Sequence, residues 1–207
     1  MAKRRRVGNL LALAVLSVVV QRPMHPYEMA SVIRARGKDE DMPIKWGSLY
    51  TVVGNLEKHG LIEDAGSSRE GARPERTVYR ITPEGREELA DWARELVGTP
   101  QQEHLSFEAG LSVMGILGPD EAISLLGVRL GLVEAEIARR RAALERDAAV
   151  LPRLFLLENE YDLAVREAEA TWVRTLLEEL TSGAFPGLDG WRAYLATGEV
   201  PHDLTGL

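Results

Sequence analysis

Around Gly60 the spacing of the apolar residues switches from helical to two-residue, and this switch constrains the fold more than any other feature of the chain. Before it, Leu49, Val52, Val53 and Leu56 fall at i, i+3, i+4 and i+7, the single apolar face of a helix predicted over 47–59. His59-Gly60 closes that helix, because glycine readily takes the left-handed conformation that follows a helix end. After it, 61–64 and 77–81 have the period of short strands, with Thr77, Tyr79 and Ile81 on one face and Val78 and Arg80 on the other. Between them Ser67-Ser68-Arg69-Glu70-Gly71-Ala72-Arg73-Pro74 makes a long, glycine- and serine-containing hairpin loop. Thr82-Pro83-Glu84 then supplies a cap, a first-turn proline and an acid near the positive end of the dipole, so a further helix runs from 83 to about 97 with Leu89, Trp92, Ala93 and Leu96 along its stripe.

Upstream, 9–20 is a helix whose apolar residues are too dense for one stripe, which predicts cover on most sides. Pro23 ends it. A second helix begins at Pro26, where a missing N–H is harmless, and runs to about 36 with Tyr27, Ala30 and Ile33 inward and Met29 partly shared. Three helices and a hairpin with a basic tip are the order of a winged helix-turn-helix.

Gly98-Thr99-Pro100 marks a boundary, and the rest is helical: a unit over 103–117, a long helix from Pro119 and another over 153–180. Leu126, Leu130, Val133, Ile137 and Leu144 make a heptad-like seam on the first long helix; Leu157, Tyr161, Ala164, Ala168, Trp172, Leu176 and Leu180 line one side of the second. Seams of this length exceed the needs of a small monomeric core, which points to a second copy, with Leu130, Ile137, Tyr161 and Leu176 as dimerisation residues. The fold class is mainly α with a small β-hairpin: an N-terminal winged helix-turn-helix followed by a helical C-terminal dimerisation domain. Its parts are a basic arm over 1–8, the winged domain with its linking helix over 9–97, the helical domain over 101–182 and a tail over 183–207, where Trp191, Tyr194 and Leu195 either dock on the body or stay loose.

The net charge of −7 hides an asymmetry that bears on partners. Residues 1–82 carry 14 Lys or Arg against 9 Asp or Glu, whereas 83–207 carry 11 against 23. Phosphate attraction depends on the local field of the docking face, so a basic reading head on an acidic helical part suits double-stranded DNA. The helix over 47–59 offers its polar side to the major groove: Ser48, Thr51 and Asn55 for base edges, Tyr50, Lys58 and Lys45 for phosphates. On the wing, Arg73 and Arg76 are the minor-groove candidates, and Lys3 to Arg6 form an arm that follows the phosphates or serves solubility alone. Trp92 and Trp172 are packing residues or, if they line a crevice, a stacking surface for a small aromatic effector.

Enzymatic chemistry finds no motif. His25, His59, His104 and His202 lack metal-ligand spacing, Glu158 and Glu160 point to different helix faces, and neither a glycine-rich phosphate loop nor a triad signature around Ser106 or Ser112 occurs. No cofactor is expected. With no Cys and a longest apolar stretch, Leu10 to Val20, of 11 residues even if Ser17 is tolerated, far below the roughly 20 that span a bilayer, a cytoplasmic location without membrane association is expected.

Arg22-Pro23-Met24-His25-Pro26-Tyr27-Glu28-Met29, Gly47-Ser48-Leu49-Tyr50, Leu56-Glu57-Lys58-His59-Gly60-Leu61-Ile62, Gly71-Ala72-Arg73-Pro74 and Val78-Tyr79-Arg80-Ile81-Thr82-Pro83-Glu84-Gly85 together resemble the PadR family of bacterial transcriptional regulators, over about 9–97. The remainder is similar to the helical C-terminal domain of the larger members. The resemblance implies a homodimer on an inverted-repeat operator, repression more often than activation, and release by a phenolic acid or other small ligand. It carries DNA contacts to Tyr50, to the face around Ser48 and Thr51, and to the wing around Arg73. The chain departs from the pattern at Pro26, where the family usually has glycine, and at Glu75, where a basic residue is frequent. A winged helix serving only as a protein-interaction module is the alternative.

Overall fold

The structure is a computed structural model that describes residues 8–37, 42, 44–68, 76–100 and 106–198, without the side chains of Ser67, Ser68 and Arg76. The fold is mainly helical with one two-stranded antiparallel hairpin, a winged helix-turn-helix followed by a helical C-terminal domain. It divides into two compact units, 1–102 and 103–207.

In the first unit, α1 (Leu10–Val19) begins at Asn9, whose side chain accepts the Ala12 N–H at 2.9 Å. Its dense apolar sequence is buried on nearly every side, from Leu11 to Val19, against α2 (Pro26–Ala35), α3 (Leu49–Lys58), α4 (Pro83–Gly98) and the strand over Arg76–Ile81. Proline opens α2, but its inner face differs from the expected one. Met29 is fully buried and Tyr27 is 65% exposed. The inward set is therefore Pro26, Met29, Ala30 and Ile33, one step round the helix from Tyr27.

A 3-10 turn at Trp46–Ser48 precedes α3, so the regular helix starts two residues later than expected. Ser48 donates its hydroxyl to the Lys45 carbonyl at 2.7 Å, and its N–H reaches the same oxygen at 3.0 Å. Leu49, Val52, Val53 and Leu56 are buried, the face that the spacing predicts. Strands β1 (Ile62–Ser68) and β2 (Arg76–Ile81) pair antiparallel, Ile62 opposite Ile81 and Glu63 opposite Arg80, with a register shift between Asp64 and Ser67. That shift lets β1 run past Asp64, where the alternation breaks off: Gly66 takes φ +102 and donates its N–H to the Asp64 carboxylate at 2.7 Å. Met24 adds a bridge on the far side of β2, exchanging both backbone hydrogen bonds with Tyr79 at 3.0 Å.

In the second unit, α5 (Ser106–Ser112) and a 3-10 turn at Met114–Ile116 replace the single helix expected up to 117. Helices α6 (Pro119–Ala148) and α7 (Leu157–Ser182) form an antiparallel hairpin, and α8 (Leu188–Thr197) packs on α6. The seam of α6 is taken up inside the chain. Leu126, Val133 and Ile137 are buried, with Ala170, Val173 and Leu180 of α7 in the same clusters. Ion pairs Arg129–Glu169, Arg140–Asp162 and Arg174–Glu134 hold the register of the hairpin. At its turn Arg153 grips Glu160 through two nitrogens, which lowers the Glu160 carboxyl below its ordinary range. Trp191 anchors α8, donating Nε1–H to the Leu117 carbonyl at 2.9 Å.

Candidate nucleic-acid interface

With one face of α3 fixed in the core, the 3.6-residue period leaves Tyr50, Thr51, Gly54, Asn55 and Lys58 outside, all exposed. Tyr50 is 66% exposed, too open for a core residue. The side chains of Tyr50, Thr51 and Asn55 make no hydrogen bond to the described residues, and Lys45 and Lys58 make no ion pair with them. This face and its approach therefore hold the positive charges of Lys45 and Lys58, the negative charge of Glu57 at the flank, and several donors and acceptors facing solvent. Ser48 is different: it is half-buried, and its hydroxyl proton already serves the Lys45 carbonyl. The helix end is tied off by His59, whose Nδ1 donates to the Asn55 carbonyl at 2.7 Å.

Two contacts brace the approach to α3 that the sequence alone did not disclose. The Arg34 guanidinium of α2 lies 4.1 Å from the centroid of the Trp46 ring, a cation–π contact that joins α2 to the 3-10 turn. Tyr79 hydrogen-bonds weakly to Glu57 on the flank of α3, at 3.5 Å. Burial, reinforced by the charges of Glu57 and Asp64, raises the Tyr79 phenol above its ordinary range.

On the wing, Arg80 pairs with Glu63 across the strands at 2.7 Å, which offsets its charge at the base of the hairpin. Arg76 lies in β2 opposite Ser68. Arg73 and the arm Lys3 to Arg6 lie outside the described residues, as do Arg69 and Lys38.

The two tryptophans separate. Trp92 is 5% exposed in the core of the first unit, packed with the α1 cluster. Trp172 is half exposed on α7 in the second unit, edge-on to Phe107 with centroids 6.1 Å apart. Arg129 stacks on the other ring of that pair, 3.6 Å from the Phe107 centroid. Of the residues expected to meet a second copy, Ile137 is buried in its own chain, and Leu130 and Leu176 are half-buried there. Tyr161 is 73% exposed. It shares its side of α7 with exposed Leu157, Val165 and Trp172, and Leu125, Val128 and Leu132 are exposed on α6. Among the described residues no group of three or more His, Asp or Glu could hold a metal ion, and no helix is long and apolar enough to cross a membrane.

Residues 15–91 match the transcriptional regulator PadR-like family. No curated protein matches the chain. Among solved structures, Bacillus subtilis PadR in complex with operator DNA superposes with a TM-score of 0.69 at 19% identity, covering 83% of this chain and 99% of that one. The same protein in complex with p-coumaric acid gives 0.66 at 18% identity over 83% and 99% of the two chains. The Vibrio cholerae virulence activator AphA gives 0.60 at 22% identity over 83% and 98%. The shared fold extends well beyond the segment that matches the family.

Proposed function

We propose that this chain, PadR-like over residues 15–91, is a sequence-specific regulator of transcription that binds double-stranded DNA as a homodimer on an inverted-repeat operator and acts as a cytoplasmic repressor. The observation that carries the reading is the outward face of α3, where Tyr50, Thr51, Asn55 and Lys58 stand exposed on a helix whose other face is locked into the core. A recognition helix needs this division, since the core fixes its angle and the free side chains read the groove. The likeness in fold to a protein solved on operator DNA supports it.

Dimerisation rests on the exposed apolar residues of the second unit. With the α6 seam covered by α7, the surface offered to a second copy is the one that includes Tyr161, Leu157 and Val165 rather than Leu130 or Ile137. Two-fold symmetry would then place two reading heads on two half-sites.

The test begins with a consensus duplex selected by the wild-type chain from random sequence. Sedimentation should give a complex holding two 22.9 kDa chains per duplex. Asn55→Ala should lose roughly 1–3 kcal/mol of discrimination between consensus and scrambled duplex, as a base-edge contact does. Lys58→Ala should weaken both alike and reduce the salt slope by about one unit. Failure to select any consensus would leave a protein-interaction module as the better reading.

Release by a small aromatic ligand is the finer part of the reading. Trp172 supports it, because its half-exposed ring beside Phe107 offers a stacking surface, whereas Trp92 is enclosed in the first core. Adding p-coumaric acid to the same titration should weaken operator binding and quench tryptophan emission, and Trp172→Ala should abolish both effects. A ligand response undiminished in Trp172→Ala places the effector elsewhere.

A further inference from the structure

Gly54 stands in the middle of the outward face of α3, and nothing in its own chain explains why that position lacks a side chain. It lies inside the helix, its φ is outside the left-handed region, and a Cβ built there would meet no atom of the described residues within 4 Å. Glycine inside a helix is destabilising relative to alanine, because more backbone freedom is lost on folding. Alanine would fit and would strengthen the helix. Gly110, Gly127 and Gly131 are helical glycines in equally open surroundings, so what singles out Gly54 is the set of groups around it.

The neighbours show what that is. Tyr50 at i−4, Thr51 at i−3, Glu57 at i+3 and Lys58 at i+4 surround Gly54 on the same exposed face, with Asn55 beside it. The missing side chain is a notch ringed by hydrogen-bonding groups, with the Lys58 ammonium on one side and the Glu57 carboxylate, which faces Tyr79, on the other, and Lys45 adds a positive charge at the approach to the helix. An apolar protein partner would call for apolar walls. A polar rim of donors and acceptors around bare backbone, with lysines at its two ends, matches a duplex, in which phosphates flank a groove floored with donors and acceptors.

Building on the DNA-reading function above, we infer that Gly54 is the point of closest approach of α3 to the base edges of the major groove. Its bare backbone lies against the bases while Tyr50, Thr51, Asn55 and Lys58 reach around it. Gly54 is thereby a specificity-determining residue: even a methyl group there lifts the helix from the groove floor and takes Thr51 and Asn55 out of reach of the base edges, while the longer Tyr50 and Lys58 still reach the phosphates.

The test compares wild type, Gly54→Ala and Gly54→Leu on the duplex selected by the wild-type chain and on a scrambled duplex of the same composition. Gly54→Ala should raise the thermal midpoint of the free protein and yet bind the selected duplex about tenfold or more weakly, the scale of a lost base-edge contact. Gly54→Leu should lose more. Binding to the scrambled duplex should not change, because the phosphate contacts remain. Gly110→Ala, at an exposed helical glycine of α5 with equally open surroundings, should keep both affinities. Undiminished binding of the selected duplex by Gly54→Ala would overturn the inference, and so would an equal loss on both duplexes. If the wild-type chain selects no consensus, the DNA-reading function fails first and the role of Gly54 falls with it; that outcome is visible before any variant is made.

Discussion

Gly85→Ala is expected to destabilise the first unit at or above the upper end of the about 1–3 kcal/mol typical of overpacked sites. A Cβ at this position would overlap the Leu61 carbonyl oxygen and come within 2.8 Å of Ile81 Cγ1 and 2.9 Å of the Leu61 carbonyl carbon. None of these atoms is free to move. The Leu61 oxygen already accepts the Thr82 N–H at 3.1 Å, and Leu61 N–H is bound to the Leu56 carbonyl at 2.9 Å. Thr82, the one buried polar residue among the described residues, donates its hydroxyl to the Gly60 carbonyl at 2.7 Å and accepts the Gly85 N–H at 3.0 Å. A methyl group must push Gly85 off the Leu61 oxygen, which also disturbs its N–H bond to the capping Thr82 hydroxyl, so strain is added and a cap contact of about 1 kcal/mol is weakened together. The junction is also where the end of α3, the start of β1 and the start of α4 are tied together. In urea unfolding the midpoint should fall with little change in m, and the thermal midpoint should drop by the order of 10 °C or more. Gly98→Ala, at the open end of the same helix, should leave the midpoint unchanged or raise it. A Gly85→Ala midpoint equal to that of Gly98→Ala would mean that the junction yields freely.

That junction also shows which parts of this protein were legible in its sequence. Thr82-Pro83-Glu84 announced the start of α4 because capping is local chemistry, decided by the residue and the backbone beside it. The inner face of α3 was legible for the same reason, since one short helix repeats its pattern within itself. Where a feature depended on a distant partner, the signal failed. Strand β1 was cut short because a bulge at Gly66 removes the alternation that identifies a strand. The bridge from Met24 to Tyr79 joins positions far apart in the chain, with no periodicity to announce it.

The α6 seam illustrates a subtler limit. Heptad spacing reports that Leu126, Val133 and Ile137 need a helical neighbour, and it is silent on which chain supplies it. The choice is made by pairs such as Arg129–Glu169 and Arg174–Glu134, which bring α7 back along α6. The surface left for a second copy is then the other side of the hairpin, which the same sequence pattern marks only as a second, sparser stripe. At the candidate interface the polar face of α3 was read from residue type and spacing. The place of Gly54 was not, because an exposed glycine in a helix is informative only alongside the groups that surround it and the open space among the described residues.

Trp191→Ala should be the most damaging truncation in the second unit, costing about 3–5 kcal/mol as for other buried aromatic side chains cut to alanine. The ring is 7% exposed in a cluster with Leu126, Val173, Leu180 and Leu188, and packs at a tilt against Phe185 with centroids 6.2 Å apart. Its Nε1–H is shared between the carbonyls of Leu117 and Gly115, at 2.9 and 3.3 Å, in the segment that leads into α6. Those oxygens sit next to Gly118 and Pro119, where α6 begins without a side-chain cap, so the indole ties the start of the longest helix to α8. Trp191→Phe separates the two contributions. It keeps most of the apolar contact and leaves two carbonyls without their donor, which should cost about 1–3 kcal/mol. By sequence the glycine- and proline-rich tail from Gly183 either docks on the body or stays loose, and a tryptophan in a loose tail can be truncated within about 0.5 kcal/mol. The glycines instead take φ near +79 and +78, turning the chain so that α8 lands on α6. Urea unfolding of both variants decides the matter: a graded loss, alanine well beyond phenylalanine, makes the tail part of the second core, whereas two variants indistinguishable from wild type would return it to the status of an appendage.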